Sequence, residues 1–435
     1  MSKGVWIPSA LLKKKNIVFM YELYKLMRKD PSFSAGNAIK AARKMLEGEK
    51  VIEHNGQYML SSFLPPFPSR ALMTHALAVK DKDNIYTSQM LAKRTAPISF
   101  YIGVTGRCYY NCLHCSAKGK RADAELTTDQ WKKVIRDIQD MNTPIIGFTG
   151  GDPLMREDIE ELIAAVDDRS MTILFTTGKG LTFEKALALK KSGLFGIAVS
   201  LDSADPEKHN SMRRDDNAFS TALEAVDNVY KTGMYTMINT VIVKNELSEE
   251  NLLKLLTLAE KHGVHEVRIL EPIVSGNLFD RENAGDIFYS QRDRERLIDI
   301  QSRFNKRKDL PKISAFAHTE SPKRYGCGAG TQHSYISSCG DLYPCDFVPL
   351  SFGNVKETSI RELWAEMNEA IGLPKGECFA FKLHGRLKEI SGGKLPLDKD
   401  TSIELCKQCK AQDFPYFYKA MQGKKYVSPC SSKDL

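Results

Sequence analysis

Short apolar runs alternate with amphipathic stretches over residues 97–270. The apolar runs are rich in β-branched residues, which is typical of strands buried on both faces of a parallel sheet. We predict six such strands, at residues 98–105, 145–149, 172–177, 196–202, 235–243 and 266–270. Between them, apolar residues recur at helical spacing at residues 127–141, 156–167, 184–191, 219–230 and 251–262. Six βα units in succession predict an α/β fold, a partial (β/α)6 barrel whose chemistry lies at the carboxyl ends of the strands.

Residues 1–90 differ from this pattern and predict a small helical, winged-helix-like region. Helical spacing at residues 21–27 and 38–46 is followed by residues 50–60, where Asn55-Gly56 suits a hairpin turn. The proline-rich segment at residues 65–68 resists regular structure and marks the exit from this region. We therefore expect four parts, which are the amino-terminal region at 1–90, the barrel core at 91–275, a linker with one helix at 276–320, and a cysteine-rich carboxyl-terminal extension at 321–435.

Composition narrows the class of protein. Of the 435 residues, 42% are hydrophobic and 27% are charged, which is usual for a globular protein, and no apolar run reaches the roughly 18 residues that span a bilayer. The first residues place an apolar patch before three lysines, which is the reverse of a secretory signal, so we expect a cytoplasmic protein. The net charge of +8 is too dispersed for a nucleic-acid binder but is compatible with an anionic substrate or a membrane surface.

Three of the ten cysteines follow the first barrel strand in one short loop, at Cys108, Cys112 and Cys115. In a reducing compartment, thiolates at such short spacing serve metals or catalysis more often than disulfides. A four-iron cluster has four corners, so three thiolates leave one iron open to an exogenous ligand. The spacing alone leaves two alternatives open, a zinc site completed by His114 and unliganded core thiols.

A glycine-rich loop, Gly150-Gly151-Asp152-Pro153, follows the second barrel strand. Paired glycines let the backbone approach a ligand closely, although a plain turn would use the same residues. Together, the C-x3-C-x2-C loop and this loop resemble the radical S-adenosylmethionine (SAM) superfamily, in which the second motif usually reads G-G-E-P. The resemblance covers roughly residues 98–272. It implies an oxidoreductase-type enzyme that reductively cleaves SAM at a [4Fe-4S] cluster to a 5′-deoxyadenosyl radical, which abstracts hydrogen from the substrate.

The same resemblance implies where SAM would bind. The glycine-rich loop would receive the methionine amino group, Ser200 and Arg213 the carboxylate and ribose, and the end of the sixth strand near Leu270 and Glu271 the adenine. The complete set of implied cofactor contacts is Gly150, Gly151, Asp152, Pro153, Thr177, Ser200, Asp202, Arg213 and Leu270. Asp152 departs from the usual Glu, which puts its side-chain contact in doubt. Two alternatives stay open, a surface ion pair for Arg213 and a buried, backbone-bonded hydroxyl for Ser200.

Seven cysteines follow the barrel, at positions 327, 339, 345, 378, 406, 409 and 430. The spacing of Cys327, Gly340 and Cys345 resembles the SPASM/twitch extension of radical SAM enzymes, which holds auxiliary four-iron clusters. Because only Cys406 and Cys409 are closely spaced, we expect one auxiliary [4Fe-4S] cluster. Its candidate ligands are Cys327, Cys345, Cys406 and Cys409, with Cys378 as first substitute, then His333 or Cys339, and Cys430 as a bystander. A structural zinc on the same thiols stays open.

The substrate does not follow from the sequence, because enzymes with such an extension modify peptides, sulfatases, haem precursors, sugars and lipids. A winged-helix-like region could hold a leader peptide, so we expect a peptide or protein substrate, as in a maturase. A lipid or a small metabolite is the alternative; for a lipid, residues 63–68 and the basic start would rest on a membrane.

The resemblance also implies an electron donor such as flavodoxin or ferredoxin. A non-catalytic, redox-sensing regulator is a further hypothesis, although a sensor would not need the SAM contacts.

Overall fold

A single sheet forms the centre of the computed structural model, which describes residues 13–118, 124–281, 284–410 and 414–422 of the chain. Within these ranges the sheet has nine strands in the order β11-β10-β3-β4-β5-β6-β7-β8-β9. The strands are β3 (Ser99–Thr105), β4 (Ile145–Gly150), β5 (Met171–Thr176), β6 (Gly196–Ser200), β7 (Tyr235–Val241), β8 (Glu266–Leu270), β9 (Lys312–Ala315), β10 (His333–Ile336) and β11 (Leu342–Tyr343). A separate two-stranded hairpin, β1 (Ile52–His54) and β2 (Gln57–Met59), precedes them.

Strands β3 to β8 are parallel and neighbours in chain order, which confirms the six predicted strands and the α/β class. Alternate residues of each strand face opposite sides. On β3, Phe100 and Ile102 pack in the core beneath the helices, whereas Tyr101 points inward. The Tyr101 hydroxyl accepts a hydrogen bond of 3.0 Å from Nη2 of Arg268 on β8, although four strands separate β3 from β8 in the sheet. The sheet therefore curls into a partial barrel.

The described residues form helices along the whole chain, of which those between the parallel strands cover the outer face of the sheet with their apolar sides. They are α1 (Lys14–Met27), α2 (Ala35–Leu46), α3 (Arg70–Leu77), α4 (Ile85–Met90), α5 (Thr128–Asp140), α6 (Ile159–Ala164), α7 (Phe183–Lys191), α8 (Pro206–Arg213), α9 (Ala218–Thr232), α10 (Glu249–Lys261), α11 (Gln291–Phe304), α12 (Phe316–Thr319), α13 (Ile360–Ile371), α14 (Phe379–Ile390), α15 (Lys399–Gln408) and α16 (Tyr416–Gln422). Thr127 and Gln130 form a capping box at the start of α5. No helix in the described ranges combines the length and the hydropathy needed to cross a bilayer.

The amino-terminal region contains the two expected helices, as parts of α1 and α2, followed by the hairpin β1–β2. Asn55 and Gly56 form its turn with φ of 50° and 73°, the left-handed conformations that a two-residue hairpin turn needs. The ring of His54 lies 5.3 Å from that of Tyr235, the first residue of β7. The hairpin therefore packs against the amino-terminal end of the barrel, opposite the strand ends that carry the site.

Two parts of the sheet were not expected from the sequence. Strand β9 lies within the expected linker and pairs with β8, and β10 lies within the expected extension and pairs with β3. Both strands are four residues long and contain polar residues such as Lys312 and His333, so they lack the apolar run that identified the other strands. Lys312 is fully buried and donates to Glu49 of the amino-terminal region. This long-range pairing fixes an edge strand that local pattern does not reveal.

Candidate active site and iron-sulfur ligands

Cys108, Cys112 and Cys115 lie in the loop after β3, at the carboxyl-terminal edge of the barrel. Cys112 is buried and the other two are half-buried. Burial is the main reason why the pKa of Cys108 rises to about 11, and the charges of Asp152, Cys112 and Cys115 act in the same direction. The thiols are thus close enough to affect one another, and a cationic metal centre would favour their ionised form.

Two distant segments hold this loop in place. The backbone N–H of Leu113 donates to the carbonyl of Met212, near the end of α8, at 2.9 Å. Asn277 donates through Nδ2 to the carbonyl of Cys112 at 2.7 Å and through its backbone N–H to the carbonyl of Cys115 at 3.0 Å. Its neighbour Gly276 has a φ of +53°, and a Cβ there would lie 2.1 Å from the Cys115 carbonyl oxygen. Sequence reasoning missed both residues, because nothing in the local sequence ties them to the cysteines.

Arg213 joins the cysteine loop to the end of β6. Its Nη1 donates to Sγ of Cys112 at 3.5 Å, and its Nη2 lies 2.7 Å from Oδ2 of Asp202 in an ion pair. Oδ1 of Asp202 accepts a hydrogen bond of 3.0 Å from the backbone N–H of Val241. Burial alone would raise the pKa of Asp202, but the attraction of Arg213 and two histidines keeps it below its usual value. Because only 7% of Arg213 is exposed, the surface ion pair considered for this residue is wrong.

The two histidines near Asp202 are His114 and His209. Nε2 of His114 lies 3.9 Å from Oδ2 of Asp202, and Nδ1 of His209 accepts a 3.0 Å hydrogen bond from the Asp202 backbone N–H. Burial lowers the pKa of each imidazole to about 4, so both are neutral near pH 7. The neutral ring of His114, which the sequence suggested as a zinc ligand, thus lies next to the Asp202 carboxylate.

The glycine-rich loop packs directly on the backbone of the cysteine loop. Gly151 N–H donates to the Thr105 carbonyl and Asp152 N–H to the Arg107 carbonyl, both at 2.7 Å. Gly150 has a φ of +128°, and a Cβ at Gly150 or Gly151 would lie within 2.2 Å of a backbone oxygen of that loop. Only glycine fits such an approach.

Asp152 and Thr177, both expected to contact SAM, contact each other. The Asp152 carboxylate is fully buried and accepts hydrogen bonds from the Thr177 hydroxyl (2.6 Å) and backbone N–H (2.9 Å) and from the Thr176 hydroxyl. It also caps the short 3-10 helix Pro153–Met155 through Leu154 N–H. The carboxylate therefore links the loop after β4 to the loop after β5. These hydrogen bonds agree with the doubt, raised by the sequence, that the Asp152 side chain binds the amino group of SAM.

Ser200 and Leu270 end strands β6 and β8 and are partly exposed at the same edge of the barrel. Glu271, which follows Leu270, accepts a 2.7 Å hydrogen bond from Nε of Arg294. Among the buried polar atoms near this edge that have no hydrogen-bond partner in the described part of the chain are Arg213 Nε, His114 Nδ1 and Asn239 Oδ1. A polar, zwitterionic cofactor such as SAM fits an edge that leaves such atoms unsatisfied.

The carboxyl-terminal cysteines form two pairs around one lysine. The thiols of Cys327 and Cys378 hydrogen-bond, and this contact, followed by burial, raises the pKa of Cys327 well above its usual value. Burial lowers the pKa of Lys375 to about 8, while the charges of Cys406, Cys327 and Cys409 oppose that shift. Lys375 also exchanges backbone hydrogen bonds with Cys327, at 2.8 and 3.0 Å. Cys378, expected only as a substitute ligand, thus lies beside a main candidate.

The remaining candidates have other contacts. The Cys345 thiol accepts a 3.4 Å hydrogen bond from Phe347 N–H, Cys339 lies 3.0 Å from both Ser337 Oγ and Asp341 Oδ2, and His333 lies 3.5 Å from Asp346. Cys430 falls outside the described residues. In the described ranges, no three His, Cys, Asp or Glu side chains are arranged as ligands of a single metal ion. In a four-iron cluster each thiolate instead binds a different iron. The ligands of such a cluster therefore lie near one another without converging on one metal position, as these cysteines do.

Comparison with known proteins agrees with this geometry. A model of the radical SAM superfamily matches residues 102–271, and a model of the SPASM iron-sulfur cluster-binding domain matches residues 327–410. Among curated proteins, the AdoMet-dependent heme synthase of Methanosarcina barkeri is 29% identical over 314 residues, which are 66% of this chain and 89% of that protein. The enzyme of the same name from Nitratidesulfovibrio vulgaris is 27% identical over 60% of this chain and 77% of its own length.

Two solved structures share the fold. Streptococcus suis SuiB bound to its precursor peptide SuiA gives a TM-score of 0.54 at 17% identity, covering 64% of this chain and 67% of SuiB. Native anSMEcpe with bound AdoMet and the Kp18Cys peptide gives 0.50 at 16% identity, covering 75% of this chain and 98% of the other. At such identities the likeness concerns the fold alone.

Proposed function

Because the chain belongs to the radical SAM superfamily and carries a SPASM domain, we propose that Cys108, Cys112 and Cys115 hold the [4Fe-4S] cluster that works with SAM. The observation that carries this proposal is the contact between Cys112 and Arg213, which links the cysteine loop to a buried, charged strand end. When bound, the cluster and SAM would supply a 5′-deoxyadenosyl radical by reductive cleavage of SAM, for removal of a hydrogen atom from the substrate. An electron donor such as flavodoxin or ferredoxin would provide the electron.

The protein's own share is to orient the reactants and keep water out. Arg213 places a cation beside Cys112, and Asp202 holds that guanidinium from the opposite side. The unpartnered Nε of Arg213 is a donor for the SAM carboxylate, because a guanidinium binds carboxylates strongly. Gly150, Gly151 and Pro153 would bring backbone groups to the methionine end, Ser200 would face the carboxylate or ribose, and Leu270 would border the adenine.

For the auxiliary [4Fe-4S] cluster we propose ligands from Cys327, Cys345, Cys378, Cys406 and Cys409. The thiol contact of Cys327 with Cys378 and the proximity of Lys375 to Cys327, Cys406 and Cys409 support a common centre for four of them. Lys375 would place a cation next to thiolates that carry a net negative charge. Cys345 follows β11 and is separated from Cys327 in sequence by the β10–β11 hairpin, and its place as a ligand rests on the spacing to Cys327.

For the substrate we propose first a peptide or protein. The supporting observation is α1, where five large apolar side chains are exposed and could meet a peptide, namely Ile17, Val18, Met20, Tyr21 and Tyr24. A small metabolite is the second candidate, favoured by the curated relatives, which are named AdoMet-dependent heme synthases. A lipid, with α1 resting on a membrane surface, would use the same exposed residues.

The test is anaerobic purification and reconstitution, followed by iron and sulfide analysis and by detection of 5′-deoxyadenosine after addition of dithionite and SAM. We expect about eight irons per chain and deoxyadenosine from the wild type, with loss of roughly half the iron and of deoxyadenosine in Cys112→Ala. Cys339→Ala is the matched control, because its thiol bonds to Ser337 and Asp341. Full deoxyadenosine formation by Cys112→Ala would contradict the proposal.

A further inference from the structure

Four polar side chains form one row across the inner wall of the barrel, on β6 to β9. Register pairs Ser200 with Asn239, Asn239 with Arg268, and Arg268 with Ser314. Residues paired in a parallel sheet point to the same face, and the intervening Val267 packs in the core on the helix side, so the row faces the interior. Three of its atoms are buried without a hydrogen-bond partner in the described part of the chain, Asn239 Oδ1, Arg268 Nε and Ser314 Oγ.

Arg268 carries the charge of this row. It is 1% exposed, and Nη2 donates to the Tyr101 hydroxyl at 3.0 Å from across the barrel. Its guanidinium carbon lies 4.8 Å from the ring centre of Phe175 and 5.0 Å from that of Phe63. The guanidinium is therefore near the barrel axis, two residues along β8 from the strand end at Leu270. Among the described residues, no carboxylate lies within 4 Å of it.

Nearby carboxylates have partners of their own. Glu266, on the same face of β8, accepts a hydrogen bond of 2.9 Å from the Tyr235 hydroxyl through Oε2, while its Oε1 has no hydrogen-bond partner among the described residues. Glu271 is bound by Arg294 at 2.7 Å, and Asp346 lies 3.5 Å from His333. Arg268 is thus a buried cation that contacts aromatic rings and the Tyr101 hydroxyl but no carboxylate of the described residues, and a bound anion would complete this environment.

Arg94 shows what a purely structural buried arginine looks like in the same molecule. It is also 1% exposed, but Nε donates to the Ala96 carbonyl at 3.1 Å and Nη1 to the Gln89 side chain at 2.7 Å. Its Nη2 donates to the His75 carbonyl at 3.3 Å. All three nitrogens of Arg94 are satisfied within the protein, whereas Nε of Arg268 is not.

We propose that Arg268 and Ser314 form an anion-binding subsite inside the barrel that takes a carboxylate of the substrate. This inference rests on the proposed function, since it assigns part of the substrate site of that enzyme. Nε and the Ser314 hydroxyl are free donors on adjacent strands, and a guanidinium binds a carboxylate in a directed way. The rings of Phe63, Phe175 and Phe316 around Arg268 would adjoin an apolar or aromatic part of the same molecule. The carboxylate could belong to a small organic acid or to a peptide.

Two pairs of probes test the subsite on the reconstituted wild-type enzyme. Protoporphyrin IX is compared with its dimethyl ester, and a phenylalanine-glycine tetrapeptide is compared with its carboxyl-terminal amide, each by equilibrium binding. We expect one of the acids to bind at least about tenfold more tightly than its neutral derivative, and which acid does so distinguishes the two sources. Arg268→Met should abolish this preference, and Arg268→Lys should keep part of it. Equal binding of acid and neutral derivative in both pairs, or no binding of either acid, would overturn the inference.

A second measurement does not depend on the probes. In ligand-free protein, Arg268→Met should unfold at the same temperature as the wild type or higher, because an apolar side chain replaces a buried charge that no carboxylate contacts and packs against the same aromatic rings. Arg94→Met, the matched control, should unfold at a lower temperature, since it leaves carbonyls unpaired. Destabilisation of Arg268→Met as large as that of Arg94→Met would overturn the inference in favour of a structural arginine. Failure of the proposed function is a separate outcome. It would be shown by a wild-type enzyme that forms no 5′-deoxyadenosine, whether or not the enzyme prefers the acid probes.

Discussion

The buried ion pair of Arg213 and Asp202 is the contact whose loss should be most costly near the cysteine loop. The charged atoms lie 2.7 Å apart, and the two side chains are 8% and 0% exposed. Removing one partner of such a pair leaves the other charge buried and costs about 3–5 kcal/mol. Arg213→Met and Asp202→Asn should therefore each lower the free energy of unfolding by about that amount. The double variant should lose much less than the sum, because it leaves no unpaired charge.

Urea unfolding of the cluster-free protein at pH 7 measures these values without interference from the metal. At this pH the contribution of Asp202 is fully present, because its folded pKa is below its usual value and the contribution is lost only as the pH falls through that folded value. The exposed pair of Arg70 and Asp168, which lies 2.8 Å apart but is 61% and 70% exposed, is the control. Arg70→Met should cost less than about 1 kcal/mol. Equal, additive effects for the buried and exposed pairs would refute the reasoning.

Three further predictions follow from other contacts. Cys378→Ala should lose about four irons per chain, whereas Cys339→Ala should retain them; iron analysis decides between a ligand and a bystander. Burial lowers the pKa of His265 to about 4, so the unfolded chain binds a proton before the folded chain does, and stability falls as the pH drops from 6.5 towards 4. His265→Gln should remove about 1.5 kcal/mol of that loss between pH 6.5 and 5, as measured by urea unfolding. Gly276→Ala should lower the cluster absorbance of reconstituted protein at unchanged helix content, because its Cβ would meet the Cys115 carbonyl oxygen.

The barrel could be predicted from sequence because its strands are local signals. Phe100 and Ile102 on β3, or Val267 and Ile269 on β8, lie in short apolar runs that need no partner to be recognised. The edge strand β9 gives no such signal, because two of its four residues, Lys312 and Ser314, are polar. Its position depends instead on pairing with β8 and on the contact between Lys312 and Glu49. Burial in this strand is decided by tertiary pairing rather than by hydropathy.

The residues of the site likewise fall into those that the local sequence reveals and those that depend on the fold. Cys108, Cys112 and Cys115 are close in sequence, so spacing alone brings their thiols together. Arg213 and Asp202 were each expected near SAM, but their ion pair, which spans the turn between β6 and the end of α8, depends on the fold. Asn277, 165 residues from Cys112, carries no motif and could be found only from coordinates.

These contacts make the position of Cys112 a property of the whole barrel rather than of its own loop. Arg213 reaches its thiol from α8, Asn277 reaches its carbonyl from beyond β8, and Gly151 binds the Thr105 carbonyl just before the loop from the end of β4. The last of these elements to be synthesised follows β8, so the loop acquires its full set of hydrogen bonds only when all six parallel strands are in place. Since ligand geometry determines whether thiolates can share one cluster, assembly of the cysteine site should depend on completion of the barrel.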